Sequence, residues 1–313
     1  MILITGGIGF IGSTLAIELE KKGEKILLLD IEDNNKSVKV YNSYHNISFI
    51  QGDINDRKLL EKIFSTNSIQ GVIHFGAVSR VVIAEKNPEL CVKTNIDGTR
   101  VLTKVIEKSE QKPWIIFGSS REVYGEPESY PVKEEFPKNF VNIYGKSKIS
   151  GENMFWALGK KLNTNTIILR FSNVYGNKFD LFGRVLPRFI KAIQFQEDLI
   201  IEGGGQIIDF THIDDTVDTI LKAIDLIKQD KKVFDDFHIL PGIGWTLYQA
   251  IEYIEEHLGK KAKSVKTNQK RNYDVEKFIG DRSKIEKILG ARDFLSLKDG
   301  LKIAIPKYLK AMR

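Results

Sequence analysis

Short apolar runs alternate with amphipathic stretches through the first part of the chain. The runs are partly β-branched, which is typical of buried strands, and they are Ile2–Thr5, Lys25–Leu29, Ile47–Ile50, Gly71–Phe75, Trp114–Gly118 and Thr166–Phe171. Helical patterns fall between most of them, over Thr14–Lys22, Asp56–Phe64, Pro88–Lys108 and Tyr144–Leu162. Continuous apolar strands followed by amphipathic helices predict a parallel sheet covered on both faces, the doubly wound α/β class.

The rhythm becomes irregular and richer in glycine after about residue 172. Helical patterns recur near Arg184–Gln196, Asp214–Lys228, Thr246–Leu258 and Ser296–Lys310. At 313 residues the chain exceeds the size at which single hydrophobic cores usually stop growing. We therefore expect a first domain over residues 1–172 and a smaller C-terminal α/β domain over 173–313, interleaved with late elements of the first.

Composition places the chain among ordinary globular proteins, with 42% hydrophobic and 28% charged residues. Cys91 is the only cysteine, so no internal disulfide is expected and a reducing, cytoplasmic location is predicted. The opening "MILITGG" has no basic stretch typical of a secretory signal, and no apolar run reaches the roughly 18 residues of a membrane span. We expect no membrane association.

The net charge of +6 raises the question of nucleic-acid binding. Basic residues cluster only at Lys260, Lys261, Lys263, Lys266, Lys270 and Arg271. No aromatic residue suitable for base stacking interrupts this run, and no nucleic-acid motif accompanies it. We expect most of the run to be a solvated surface, no nucleic-acid partner and no metal site.

The segment "ITGGIGFIGS" follows the first strand and opens the first helix. Gly6, Gly9 and Gly12 would let the backbone turn tightly and approach a pyrophosphate at the helix N-terminus, although a turn that merely needs positive φ is the alternative. Asp30 ends the second strand, where a carboxylate can accept hydrogen bonds from ribose hydroxyls. Because a negative charge repels a 2′-phosphate and no arginine follows in "DIEDNN", NAD is predicted in preference to NADP.

Two further segments carry candidate chemistry. In "NIYGKSK", Tyr144 and Lys148 are four residues apart and share one face of a helix. A nearby cation favours the phenolate of a tyrosine, which can then act as a base near neutral pH. In "FGSSREVYGEP", Ser119 and Ser120 end a buried strand.

Together these segments resemble the extended short-chain dehydrogenase/reductases, in particular their nucleotide-sugar epimerase/dehydratase branch with a Rossmann domain. The resemblance covers essentially the whole chain and includes "GDI", "HFGAVSRV", "TNIDGT", "LRFSNVYG", "HIDD" and "DRSK". It implies NAD contacts at Gly6, Gly9, Phe10, Ile11, Gly12, Asp30, Asp53, Ile54, Phe75, Gly76, Ala77, Asn95, Tyr144, Lys148 and Phe171. It implies that the second domain binds a nucleotide-diphosphate sugar, with contacts from Ser79, Ser120, Glu122, Asn173 and Arg271.

The resemblance also implies catalytic roles. Ser120 would hydrogen-bond the sugar O4 beside Tyr144, whose phenolate takes the O4 proton while C4 delivers a hydride to nicotinamide. Lys148 would bind the nicotinamide ribose and lower the pKa of Tyr144. Ser119 is expected to pack or cap beneath the site.

Relatives also pair the helices that begin near Pro88 and Tyr144, which predicts a homodimer. The apolar side chains available for that surface, which could equally belong to the core, are Ile149, Met154, Phe155, Trp156 and Leu158.

The fate of the 4-keto intermediate depends on Arg121 and Glu122. In the 4,6-dehydratases an Asp-Glu pair follows the catalytic hydroxyl, and the Asp protonates the departing O6. A guanidinium cannot serve as that acid at neutral pH, so a 4-epimerase is favoured. A dehydratase or decarboxylase, a 4-keto-sugar reductase and a catalytically idle NAD-binding scaffold remain alternatives. Arg121 and Glu122 could also simply pair with each other or face solvent.

One departure from the family concerns the substrate phosphates. Many relatives carry an arginine that binds the diphosphate where this chain has Ile208, in "GGGQIIDFTHIDD". Arg271 matches the other diphosphate arginine of the family. A UDP-hexose is the commonest substrate of the branch, while the base and the sugar of this substrate stay open.

Overall fold

The computed structural model describes residues 1–32, 41, 43–229 and 232–312. Asp33, Asn34 and Asn35, which entered the prediction of cofactor preference, lie outside the described residues. The strands are β1 (Ile2–Thr5), β2 (Ile26–Asp30), β3 (Ile47–Gln51), β4 (Gly71–His74), β5 (Trp114–Ser120), β6 (Thr166–Phe171), β7 (Asn173–Tyr175), β8 (Asp198–Glu202), β9 (Ile207–His212), β10 (Phe234–Ile239), β11 (Gly244–Thr246) and β12 (Ser264–Asn268).

The helices are α1 (Phe10–Lys21), α2 (Arg57–Thr66), α3 (Val81–Lys86), α4 (Pro88–Cys91), α5 (Thr99–Lys108), α6 (Ile143–Leu162), α7 (Val185–Phe195), α8 (Ile213–Lys228), α9 (Leu247–Leu258), α10 (Ser283–Leu289) and α11 (Leu297–Met312). A π-helical segment, Val92–Gly98, joins α4 to α5, so the predicted helix over Pro88–Lys108 is one stretch of three segments. A 3-10 turn, Arg121–Val123, follows β5. Within the described ranges, no helix has the length and apolar character needed to cross a membrane.

The large sheet has seven parallel strands in the order β10-β6-β5-β4-β1-β2-β3, which confirms the predicted doubly wound class. From β1 the chain continues through α1 to β2 on one side, whereas β4 lies on the other side of β1. This reversal of strand order opens a crevice at the carboxyl ends of β1 and β4, where ligands of open α/β sheets bind.

The buried strands divide their side chains between two apolar layers. Ile4 and Leu28 face a layer that includes Ile220 of α8, while Leu3 and Leu27 face the layer on the opposite side of the sheet. This follows from the alternation of side chains along a strand, because both faces of a parallel sheet are covered by helices.

The later part of the chain contributes to both regions of the fold. Strand β10 is an edge strand of the large sheet, and α8 packs against α1. Strands β7, β9 and β11 form a separate three-stranded sheet, and β8 pairs with β12. A second apolar core contains Phe189, Phe210 and Leu301. The division of the chain at residue 172 stays a prediction.

The apolar side chains of helix α6 that were predicted to form a dimer surface are only partly accessible. Phe155 and Leu158 are buried in the core, with 0% and 4% of their surface exposed. The ring of Trp156 packs against Phe234, with centroids 4.3 Å apart. The expectation of a free dimer surface is therefore wrong for Phe155 and Leu158, which the large sheet covers, whereas Ile149, Met154 and Trp156 are half-buried and their availability stays a prediction. The homodimer itself stays a prediction.

Candidate active site

A cavity of about 490 Å³ lies at the carboxyl ends of the large sheet and is bordered on its other side by residues of α7 and β9. It brings together residues that are far apart in the sequence. The predicted site residues that line it are Ile11, Phe75, Ser79, Ser120, Glu122, Tyr144, Lys148, Phe171, Asn173 and Arg271. The predicted catalytic trio and the predicted substrate contacts therefore share one cavity.

The glycine-rich turn requires its glycines. Gly6 has a φ of +66°, and a Cβ at this position would lie 2.7 Å from the backbone nitrogen of Gly76. Gly9 precedes the first turn of α1, and no side chain of the described residues caps that turn. Phe10 and Ile11 follow as the first residues of α1. The N–H groups of the first helical turn are therefore left for an anionic ligand, which fits the pyrophosphate of a dinucleotide.

Asp30 lies beside this turn at the end of β2. One of its oxygens accepts a hydrogen bond from the backbone N–H of Ile8 at 3.2 Å, and the other accepts from Glu32 at 3.4 Å. Burial raises the pKa of the Asp30 carboxyl, and the backbone hydrogen bonds act in the opposite direction. The backbone thus orients the carboxylate next to the turn.

We expect Asp30→Asn to reduce the preference for NAD over NADP by roughly tenfold, because removal of a charge near the 2′-position relieves a repulsion of about 1 kcal/mol or more. Titration calorimetry with both cofactors measures the ratio. Asp97→Asn is the matched control, because the Asp97 side chain is half-exposed and pairs with Arg100. An unchanged ratio in Asp30→Asn would contradict the assignment of Asp30 to the ribose.

Two other predicted cofactor segments flank the turn. Asp53 accepts hydrogen bonds from the backbone and side-chain nitrogens of Asn55 at 2.8 and 2.9 Å. Ile54 is buried against Gly98, and a Cβ at Gly98 would overlap the Ile54 side chain. After β4, the backbone N–H of Gly76 donates to the Thr5 hydroxyl at 3.2 Å. These contacts hold both loops against the crevice.

The loop of Phe75, Gly76 and Ala77 is anchored further along by Asn95. The Asn95 carboxamide accepts from the backbone N–H of Val78 at 2.7 Å and donates to the Val78 carbonyl at 3.2 Å. It also donates to the Ser147 hydroxyl at 2.9 Å. Both ends of this side chain are therefore engaged by the protein, so Asn95 acts on the cavity by holding the loop in place.

Lys148 reaches the cavity from α6, whose first turn is capped by Asn142. Its ammonium donates to the Gly118 carbonyl at 2.8 Å and lies 5.1 Å from the centre of the Phe117 ring. Burial lowers the pKa of Lys148 to about 8, so the side chain is still mostly protonated at neutral pH. It places a positive charge 5.6 Å from the centre of the Tyr144 ring.

The phenol of Tyr144 is buried in the cavity wall. Burial raises its pKa above the ordinary value, and the Glu122 carboxylate acts in the same direction. The Arg184 guanidinium and hydrogen bonding from the Ser120 hydroxyl act to lower it. The resemblance implied that Lys148 lowers this pKa. That role of Lys148 stays a prediction, and the structure adds Arg184 and Ser120 as groups that favour the phenolate.

The two serines at the end of β5 point to opposite sides of the sheet. Ser120 lines the cavity, and its hydroxyl oxygen accepts from the backbone N–H of Glu122 at 3.2 Å. Ser119 also borders the cavity, but its hydroxyl donates to the buried carboxylate of Glu152 at 2.5 Å. Alternation along the strand separates the two hydroxyls, and the bond to Glu152 is consistent with the packing role predicted for Ser119.

Arg121 and Glu122 pair with each other in the cavity wall at 3.0 Å. The Arg121 Nε also donates to the side-chain oxygen of Asn173 at 3.1 Å. The second oxygen of Glu122 accepts from the Asn142 carboxamide at 2.7 Å. Both side chains therefore have partners within the protein, as one of the sequence-based alternatives proposed.

Three further arginines line the cavity that were not predicted from the sequence: Arg80, Arg184 and Arg188. Arg184 lies 5.8 Å from the centre of the Phe10 ring and also acts on Tyr144, so it lies between the glycine-rich turn and that tyrosine. The signal was present in "GRVLPRFI", where two arginines four residues apart begin an amphipathic helix and share one face.

Known proteins resemble this chain over nearly its full length. The family model of the NAD dependent epimerase/dehydratase family matches residues 2–236. A UDP-glucose 4-epimerase of Halalkalibacterium halodurans is 29% identical over 307 residues, which cover 92% of this chain and 89% of the relative.

Solved structures agree with this result. The UDP-glucose 4-epimerase of Thermotoga maritima, solved with UDP-glucose, superimposes with a TM-score of 0.90 at 30% identity, covering 100% of this chain and 99% of that one. The UDP-glucuronic acid 4-epimerase of Bacillus cereus, solved with UDP-glucuronic acid and NAD, superimposes with a TM-score of 0.88 at 26% identity, covering 99% of each chain. The chain is an enzyme that uses NAD, and it belongs to the NAD dependent epimerase/dehydratase family.

Proposed function

We propose that this enzyme is a nucleotide-sugar 4-epimerase that acts on a UDP-hexose through a transient 4-keto intermediate. The observation that carries the proposal is the shared cavity of Ser120, Tyr144 and Lys148, with an arginine at position 121 where dehydration would need an acid. The epimerase names of the relatives support the same reaction.

NAD fits the glycine-rich turn because a Cβ at Gly6 would collide with the backbone of Gly76, and because no described side chain caps the N–H groups in the first turn of α1. When bound, NAD supplies the acceptor and donor of the C4 hydride. Tyr144 takes the O4 proton and later returns it, and Ser120 orients O4 beside the phenol. Lys148 keeps a positive charge near the phenolate, which stabilises it in a buried site.

Dehydration is disfavoured by the chain's own contacts. It needs a proton donor at O6 and a free base at C5. Arg121 cannot transfer a proton to O6 at neutral pH. Both carboxylate oxygens of Glu122 already have partners, Arg121 and Asn142. Epimerisation needs neither group, only that the 4-keto sugar present its other face before the hydride returns.

Proton NMR of the reaction mixture tests this proposal. With UDP-galactose, UDP-glucose or their N-acetyl forms, we expect the C4 epimers to interconvert and no 4-keto-6-deoxy product to accumulate. UDP-glucuronate and UDP-galacturonate are also tested, because the guanidinium of Arg121 lies in the cavity wall and could pair with the carboxylate that these sugars carry at C6. A C6 methyl doublet would overturn the epimerase assignment, and loss of C6 as carbon dioxide would make the enzyme a decarboxylase.

Assembly and location belong to the same proposal. We infer a cytoplasmic homodimer from the family resemblance and from Cys91, which is a free and buried thiol. The structure describes a single chain, so the homodimer and the cytoplasmic location are inferred from the sequence.

A further inference from the structure

One of the two arginines that are expected to bind the substrate diphosphate is missing from this chain. Relatives bind the diphosphate with two arginines, and this chain has Ile208 in place of one of them. Ile208 lies on β9, lines the cavity and is 8% exposed. Its side chain can fill space but cannot bind an anion. Arg271, the other position, lies in the same cavity.

The cavity contains another guanidinium close to these two positions. Arg188 extends from α7 and lines the cavity together with Ile208 and Arg271. Its terminal nitrogen donates to the Ile200 carbonyl at 2.9 Å, which fixes the direction of the side chain. Its Nε is buried and has no hydrogen-bond partner among the described residues.

The charges around Arg188 leave an excess of positive potential. Within the part of the chain that the structure describes, neither Arg188 nor Arg80 has a carboxylate within ion-pair distance, while Arg271 pairs with Asp274 at 2.7 Å. Burial lowers the pKa of Arg188, and repulsion from Arg271 and Arg80 acts in the same direction. The Glu202 carboxylate acts to raise this pKa. Guanidiniums that face one cavity and repel each other are stabilised by a bound anion.

We propose that Arg188 binds the substrate diphosphate together with Arg271. Arg188, on helix α7, thus takes the place of the arginine that relatives carry on strand β9, where this chain has Ile208. The assignment rests on the proposed function, since it takes the ligand to be a nucleoside diphosphate. Two guanidiniums suit two adjacent phosphates because each can form a pair of charge-assisted hydrogen bonds. The same phosphate site is thus built from a different element of the fold.

Titration calorimetry with UDP, dTDP, CDP and GDP tests the assignment. The diphosphate that binds the wild-type enzyme most tightly is then titrated into Arg188→Met and into Lys191→Met. Lys191 is an exposed residue of the same helix that pairs with Glu197. We expect Arg188→Met to weaken binding about 10- to 100-fold, the loss typical of a hydrogen bond to a charged group. Lys191→Met should bind as the wild type does, and both variants should keep their affinity for NAD.

An exchange of positions makes the test specific. Adding Ile208→Arg to Arg188→Met should restore at least part of the lost affinity, because it returns a guanidinium to the same cavity. An affinity of Arg188→Met equal to that of the wild type would overturn the assignment and leave the epimerase proposal intact. Loss of NAD binding together with diphosphate binding would also overturn it, since the side chain would then be structural. If no nucleoside diphosphate binds the wild type, the proposed function and this inference both fail.

Discussion

We expect Tyr144→Phe to lower kcat by roughly 10²- to 10⁴-fold, the usual contribution of a positioned proton-transfer group. The substitution removes only the phenol oxygen, so O4 of the sugar loses the group that takes and returns its proton. The ring still fills its buried position against the cavity wall. Binding of NAD and thermal stability should therefore stay close to those of the wild type.

Steady-state kinetics and calorimetry with NAD together make this measurement decisive. Tyr248→Phe is the matched control, because it removes a phenol oxygen from an exposed tyrosine that bonds Thr267 outside the cavity. If Tyr144→Phe retains more than a tenth of the wild-type kcat, the base lies elsewhere. If it also loses NAD, the phenol has a structural role that the proposed mechanism does not include.

The second large effect concerns stability, and we expect Arg170→Met to lower the free energy of unfolding by about 3–5 kcal/mol. Arg170 and Glu152 are both fully buried and pair at 2.9 Å, and Arg170 also pairs with Asp236 at 2.6 Å. Burial acts to raise the pKa of Glu152, yet Arg170 and Lys138 hold it below its usual value. Removal of Arg170 would leave a buried carboxylate with Lys138 as its remaining cation.

Urea denaturation measures this loss, with Arg57→Met as the matched control. Arg57 and Glu61 form an exposed pair on α2 at 2.7 Å, so its removal should cost about 0.5 kcal/mol or less. Adding Glu152→Gln to Arg170→Met should recover part of the stability, because it removes the stranded charge. A loss below about 1 kcal/mol for Arg170→Met would mean that the buried pair contributes little.

The same ion pair connects stability with the active site. Glu152 accepts a hydrogen bond from Ser119, the neighbour of Ser120 on β5, and it lies one helical turn beyond Lys148 on α6. A charged layer beneath the cavity thus holds the end of β5 against α6. We therefore expect the Arg170 variant to lose activity along with stability, whereas Tyr144→Phe should lose activity alone.

The sequence by itself determined the features that depend on local pattern. The apolar runs of β1, β2, β4, β5 and β6 predicted a parallel sheet, because a strand covered on both faces must be apolar throughout. The spacing of Gly6, Gly9 and Gly12 predicted the turn, since a tight strand-to-helix connection tolerates no side chain there. The four-residue spacing of Tyr144 and Lys148 predicted that both face one site.

Tertiary structure alone decided which distant side chains meet. It placed β10 at the edge of the large sheet and buried Phe155 and Leu158, which the helical pattern could not distinguish from a free apolar face. It paired Arg170 with Glu152, and it brought Arg188 into one cavity with Ile208 and Arg271. The physical reason is that strand and helix patterns record which face is buried, whereas the partner of a buried charge is set by how elements remote in the chain come together.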